Sequence, residues 1–188
     1  MSDSEKAADL LGQIPKFEKK GLPPVHLWNP PFCGDLDMRI ARDGSWYYMG
    51  TPIGRPAMVR LFSTVIRRDG DKYFLVTPVE RVGIQVDDAP FVAVRLEVEG
   101  GGDVQILRFI TNVDDEIEAG SEHSMRVELD PDSQEPTPYV HVRANLDALI
   151  HRNVFYQLVE LAVPREIEGA TWLGVWSHGQ FFPIGRTE

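Results

Sequence analysis

One apolar pattern occurs twice in this chain, and the repetition restricts the fold more than any other feature. From Arg55 to Arg67, Ala57, Met58, Leu61, Phe62, Val65 and Ile66 fall at i, i+1, i+4, i+5, i+8 and i+9. That is the broad stripe of a helix with one buried side. Shifted by 97 positions, the same six places hold Val154, Phe155, Leu158, Val159, Ala162 and Val163. Strand-like runs flank both stripes. Before the first, "DMRIA" and "SWYYM" read as a hairpin around Asp43-Gly44; after it come the Asp69-Gly70 turn and the strands "KYFLV" and "RVGIQV". Met38-Arg39 pairs with Met125-Arg126, "WYYM" with "YVHV" at Tyr139 to Val142, and "YFLV" with "WLGV" at Trp172 to Val175. The offsets grow from 87 through 93 and 97 to 99, as insertions between shared elements require. The pattern predicts a duplicated hairpin-helix-hairpin unit.

The remaining segments fit around that duplication. Residues 3 to 14 have helical spacing, and five prolines between Pro15 and Asp35 make an extended arm. Between the copies, "FVAVRLEV" and "VQILRFI" form one more hairpin around Gly100 to Gly102. The expected architecture is α+β, with two mainly antiparallel sheets, each packed by a helix. Its expected parts are a helix and Pro-rich arm over 1–35, a first repeat over 36–86 and a second over 87–188.

Charge narrows the function. The net charge of −10 argues against general nucleic-acid or anionic-lipid binding, which requires clustered Lys and Arg. Yet from Arg39 to Arg81 eight basic residues face four acidic ones, a local +4. With one cysteine, Cys33, no intrachain disulfide forms. The N-terminal "MSDSEKAADLL" is polar and acidic, unlike a signal peptide, and no run reaches 18 apolar residues. A cytoplasmic protein is the expectation.

Catalytic motifs are missing. "GTPIGRP" before the first helix resembles a phosphate cradle, but Pro52 and Pro56 have no N–H to give and no Gly-Lys-Ser/Thr follows. It reads first as a helix start with Pro56 in the first turn. Arg55 then stands at the positive end of a helix dipole, and Arg152 occupies the matching place in the second copy. Arginines there bind an anionic ligand, or else pair structurally with Asp35 or Glu128. The stiff loop "PPVHLWNPPFCGD" offers Trp28, Asn29 and Asp35 as a ligand wall, against the plainer alternative that Trp28 plugs the core and the Asx residues bind local backbone. His26 and Cys33 lack metal-site spacing, "GVWSHG" fails the serine-hydrolase pattern, and "NVDDEIEAGSE" fails the EF-hand pattern.

The strings "PPVHLWNPPFCGDLDMRIARDGSWYYMGTPIGRPAMVRLFSTV", "DAPFVAV", "YVHVRANLDALI" and "LGVWSHGQFFPIG" resemble, from about Pro23 to Gly185, the bacterial family known as domain of unknown function 1285. The resemblance implies a duplicated core, a C-terminal part similar to pleckstrin-homology-like folds, and no established activity. It also implies a small, nucleotide-based ligand between the halves and a signalling role. The combined expectation is non-catalytic binding of a small anionic, nucleotide-like ligand at the interface of the two parts. Trp28, Asn29, Asp35, Arg39, Arg55 and Arg143 would line it. No cofactor is indicated. The alternatives are a protein-interaction module and, last, a hydrolase.

Overall fold

The structure, a computed structural model, describes residues 3–15 and 21–187. The chain divides into two compact units, one ending at Pro90 and the other beginning at Phe91.

The first unit opens with helix α1 (Asp3–Gln13), which buries Leu10; Ile14, just after the helix, is buried as well. Gln13 accepts a hydrogen bond from the buried Thr77 hydroxyl at 2.8 Å. A 3-10 turn over Val25–Leu27 precedes strands β1 (Phe32–Ile40), β2 (Trp46–Tyr48) and β3 (Thr51–Pro52). Helix α2 (Pro56–Ser63) follows, and then β4 (Ile66–Asp69), β5 (Lys72–Val76) and β6 (Arg81–Val86). The six strands form one sheet in the order β3-β2-β1-β6-β5-β4, antiparallel except where β1 runs parallel to β6. Along β1 the period-2 rule sorts the side chains: Leu36, Met38 and Ile40 are buried while Asp35, Asp37 and Arg39 are exposed. Behind the buried face, Phe62 of α2 stacks on Trp46 with ring centroids 6.3 Å apart.

α2 is shorter than its stripe. The Ser63 and Thr64 hydroxyls donate to the Arg60 and Leu61 carbonyls at 2.6 Å each, satisfying carbonyls that a longer helix would have used. Val65 then lies in the turn out of the helix and Ile66 opens β4, as β-branched residues favour, and both are buried. The last two positions of the stripe are thus a turn residue and the first strand residue, and both stay buried.

The second unit begins with β7 (Phe91–Glu99), β8 (Ile106–Thr111) and β9 (Glu116–Glu118). It continues with β10 (Met125–Leu129), β11 (Pro136–Arg143), β12 (Leu146–Ile150), α3 (Arg152–Leu161), β13 (Val163–Ile167), β14 (Ala170–Ser177) and β15 (Gln180–Arg186). Its sheets run β10-β11-β12-β7-β8-β9 and β13-β14-β15. Read as β12-β11-β10 followed by β15-β14-β13, this is the strand order of the first unit. The duplication is therefore topological as well as sequential.

Two details add a small third sheet to the two expected ones. In the first unit β1 and β6 are hydrogen-bonded into one sheet, whereas their counterparts β10 and β15 lie side by side without a ladder, which leaves three sheets among the described residues. The hairpin between the copies adds to β12, in the second parallel pairing. The buried Ser177 hydroxyl ties that hairpin to the small sheet, accepting from Leu107 N–H at 3.0 Å and donating to the Ala119 carbonyl at 2.7 Å. With both roles spent, Ser177 is no nucleophile.

The alignment of the copies also moves by one residue. Arg39 faces Tyr47 across β1–β2 and Arg126 faces Tyr139 across β10–β11, so Tyr139 answers Tyr47 and not Trp46. In the helices, the fully buried Leu158 answers Phe62, while Val159 is 47% exposed.

Candidate functional site

A groove of the first unit lies on the outer face of the β1–β6 seam, with a volume of about 580 Å³. Irregular pairing builds it. The step from Phe32 to Asp35 on β1 faces only Arg81 to Gly83 on β6, and the step from Asp35 to Arg39 faces only Gly83 to Gln85. Gly34, at φ +92°, supplies the left-handed backbone that the first bulge needs and that other residues adopt at a cost. Asp35, Asp37 and Arg39 therefore converge on a short stretch of β6. At its centre Gly83 has no side chain, and a Cβ there would run into the Asp35 carboxylate. A smaller hollow of about 300 Å³ adjoins it and shares Asp35, Gly83 and Gln85.

Arg39 is the cation of this groove. Its guanidinium lies 5.0 Å from the Tyr47 ring centroid and pairs with Asp87 at 3.3 Å. The arginine side chain is 45% exposed, so that pair contributes at most about 1 kcal/mol and yields readily to another anion. The rim is closed by the two-residue turn Met49-Gly50, both at positive φ, which joins β2 to β3 in the tight hairpin geometry that favours glycine at its second place. Gly50 of "YYMGTPIGRP" is thus a hairpin turn and groove rim.

Of the six residues singled out by sequence, Asp35 and Arg39 meet here. Trp28 and Asn29 do not line the groove; the Trp28 carbonyl accepts from Arg67 Nη1 at 2.7 Å, which pins the proline-rich arm to β4. Arg55 is the exposed N-cap residue of α2 and also stands apart from the groove. Arg143 belongs to the second unit, over the Phe91 ring at 4.9 Å and paired with Asp115 at 3.2 Å. Burial pushes the Asp115 carboxyl up and pulls the Arg143 guanidinium down, so desolvation outweighs their mutual attraction and the pair is a packing element.

Sequence reasoning missed Asp37, Tyr47, Gly83 and Gln85. The alternation of charged and apolar residues in "DLDMRI" marked the outer face of β1, but β6 becomes its neighbour only through a parallel pairing distant in sequence. The basic stretch is also largely internal in its effect. Asp69 holds both Arg67, at 2.9 Å, and Arg81, at 3.3 Å, while Arg42 pairs with Asp88 at 3.1 Å. The Arg81 guanidinium also lies over the rings of Phe32 and Phe74.

The second unit has a more open polar groove of about 520 Å³. Its Glu118 bridges Arg108, at 2.7 Å, and His178, at 2.8 Å. The Arg108 hydrogen bond, reinforced by that of His178, holds the Glu118 carboxyl below its usual range. Among the described residues no cluster of His, Cys, Asp and Glu is arranged to hold a metal, and no helix is long and apolar enough to cross a membrane.

The fold and groove define a duplicated α+β protein with a polar cleft on its first copy. Comparison with known proteins gives the family. Residues 23–89 match the N-terminal domain of DUF1285, described as a domain of unknown function, and residues 90–184 match the DUF1285 C-terminal domain, described as a protein of unknown function. The chain belongs to the DUF1285 family. It is similar to the crystal structure of a DUF1285 family protein from Silicibacter pomeroyi DSS-3, with 57% identity, a TM-score of 0.83 and 95% of each chain covered. It is also similar to a DUF1285 family protein from Shewanella baltica OS155, with 26% identity and a TM-score of 0.53, covering 66% of this chain and 91% of that one. A search of curated proteins returns no match.

Proposed function

We propose that this protein is a non-catalytic module that binds a small ligand with one anionic group and several hydroxyl or amino donors in the groove on the β1–β6 seam. The observation that carries the reading is the composition of that groove: one recruitable arginine on an aromatic ring, beside two exposed carboxylates, around a glycine floor. Arg39 would take the anionic group with its planar fork. Asp35 and Asp37 would accept from ligand donors, as acidic side chains accept from ribose hydroxyls. The volume is within the range of small-molecule sites.

The same carboxylates set a limit on charge. With Asp87 they place three negative groups around one positive one, so a polyphosphate is repelled. A nucleoside monophosphate or cyclic nucleotide fits better than a triphosphate. Thermal stability against a panel of both kinds tests this, wild type beside Arg39→Ala. A rise with a monophosphate that is lost in the variant supports the reading; no rise for any nucleotide or sugar phosphate removes it.

A further inference from the structure

Helix α3 buries Val154 and Leu158, which are 1% and 0% exposed, and turns a second apolar strip outward. Tyr156 and Val159 are 54% and 47% exposed, and Val163, opening β13, is 41% exposed. Tyr156 and Val159 are three residues apart and therefore neighbours on the helix surface. Arg152 stands one turn before Tyr156 and Glu160 one turn after it. Both charges are exposed, and among the described residues neither makes an ion pair or side-chain hydrogen bond.

Each charge is also at the wrong end of its helix. A macrodipole favours acidic groups at the N-terminus and basic groups at the C-terminus, and α3 has Arg152 in its first turn and Glu160 in its last. A second copy of α3 laid antiparallel corrects both faults. Arg152 of each copy meets Glu160 of the other, the helix dipoles oppose, and Tyr156, midway between the two charges, packs on itself at the two-fold axis. This self-complementarity is what an isologous interface requires. Strand addition at the adjacent β13 edge is disfavoured, since Pro164 there has no N–H to donate.

We infer that α3 is a homodimerisation surface whose occupant is the antiparallel α3 of a second copy of this chain. One helix pair buries less than the area of a standard stable interface, so the dimer is weak and concentration-dependent. Sedimentation velocity of the full chain over a wide concentration range tests this, with Arg152→Glu, Glu160→Arg and the double swap. The wild type shifts towards dimer on concentration, each single swap stays monomeric at concentrations where wild type is dimeric, and the double swap restores the dimer. Both single swaps improve the match to the helix dipole, so circular dichroism shows them folded. A wild type that stays monomeric, which would leave the face to a different protein, overturns the inference. Single swaps that dimerise like wild type overturn it too, as does a folded double swap that stays monomeric.

Discussion

The two units place an arginine over a tyrosine at equivalent points of equivalent hairpins, yet they surround the pair differently. In the second unit Arg126 lies 4.5 Å from the Tyr139 centroid and is held by Glu128 at 2.9 Å and Asp147 at 2.8 Å. In the first, Arg39 has the same kind of ring contact and one looser ion pair, and it shares the outer face of β1 with Asp35 and Asp37 along a bulged seam. The residue that corresponds to Asp37 in the second unit is Ser124. The stack itself is therefore a device of the fold, present in both copies. Beside the stack in the first copy lies the groove on the β1–β6 seam. Seam and groove go together: β1 and β6 stay laddered and carry a groove on their outer face, while β10 and β15 part and the inserted hairpin supplies the extra strands instead.

The largest test of the comparison is in the cores. Phe62→Ala and Leu158→Ala should each lower stability by about 3–4 kcal/mol in chemical denaturation, since both side chains are fully buried and the cavities left behind add to the lost transfer energy. Val159→Ala should cost less than about 1 kcal/mol; a cost equal to that of Leu158→Ala would restore the alignment read from sequence and break the one drawn from burial. Next is Ser177→Ala, which strands a buried N–H and a buried carbonyl at the junction of the inserted hairpin. About 1–3 kcal/mol is expected, and a neutral result would show that the junction does not depend on this hydroxyl. Gly34→Ala should cost about 1–2 kcal/mol, because alanine has to adopt the left-handed backbone of the β1 bulge.

The smallest expected effects are electrostatic. Arg126→Ala should destabilise more than Arg39→Ala, both by about 1 kcal/mol or less, as partly exposed pairs do. Glu118 gives a pH signature. Its folded-state carboxyl titrates below the ordinary value of 4.5, so its stabilising contribution is complete above that pH and is lost as pH falls through the lower, folded value. The melting-temperature gap between wild type and Glu118→Gln should therefore be constant near neutrality and close in acid. A gap that widens in acid would reverse the assigned direction.

Local patterns made much of the fold legible. The hairpin at Asp43-Gly44, the turn at Asp69-Gly70 and both amphipathic helices follow from short-range periodicity and turn chemistry, and the duplication follows from their order. The one-residue slip arose because Val159 and Val163 are apolar but exposed, and a stripe count cannot distinguish a buried valine from one facing outward. The groove was half legible. Asp35 and Arg39 sit on a strand whose alternation is visible, whereas Gly83 and Gln85 reach them through a parallel pairing that no local pattern encodes. Arg143 was singled out for its charge, and only the structure shows that Asp115 and Phe91 engage it.

Calorimetric titration of a nucleoside monophosphate into wild type, Arg39→Ala and Arg126→Ala tests the central claim most directly. Binding by wild type and Arg126→Ala, with loss in Arg39→Ala, is the predicted result. An absence of binding in wild type, or an equal loss in both variants, would contradict a site confined to the groove of the first unit.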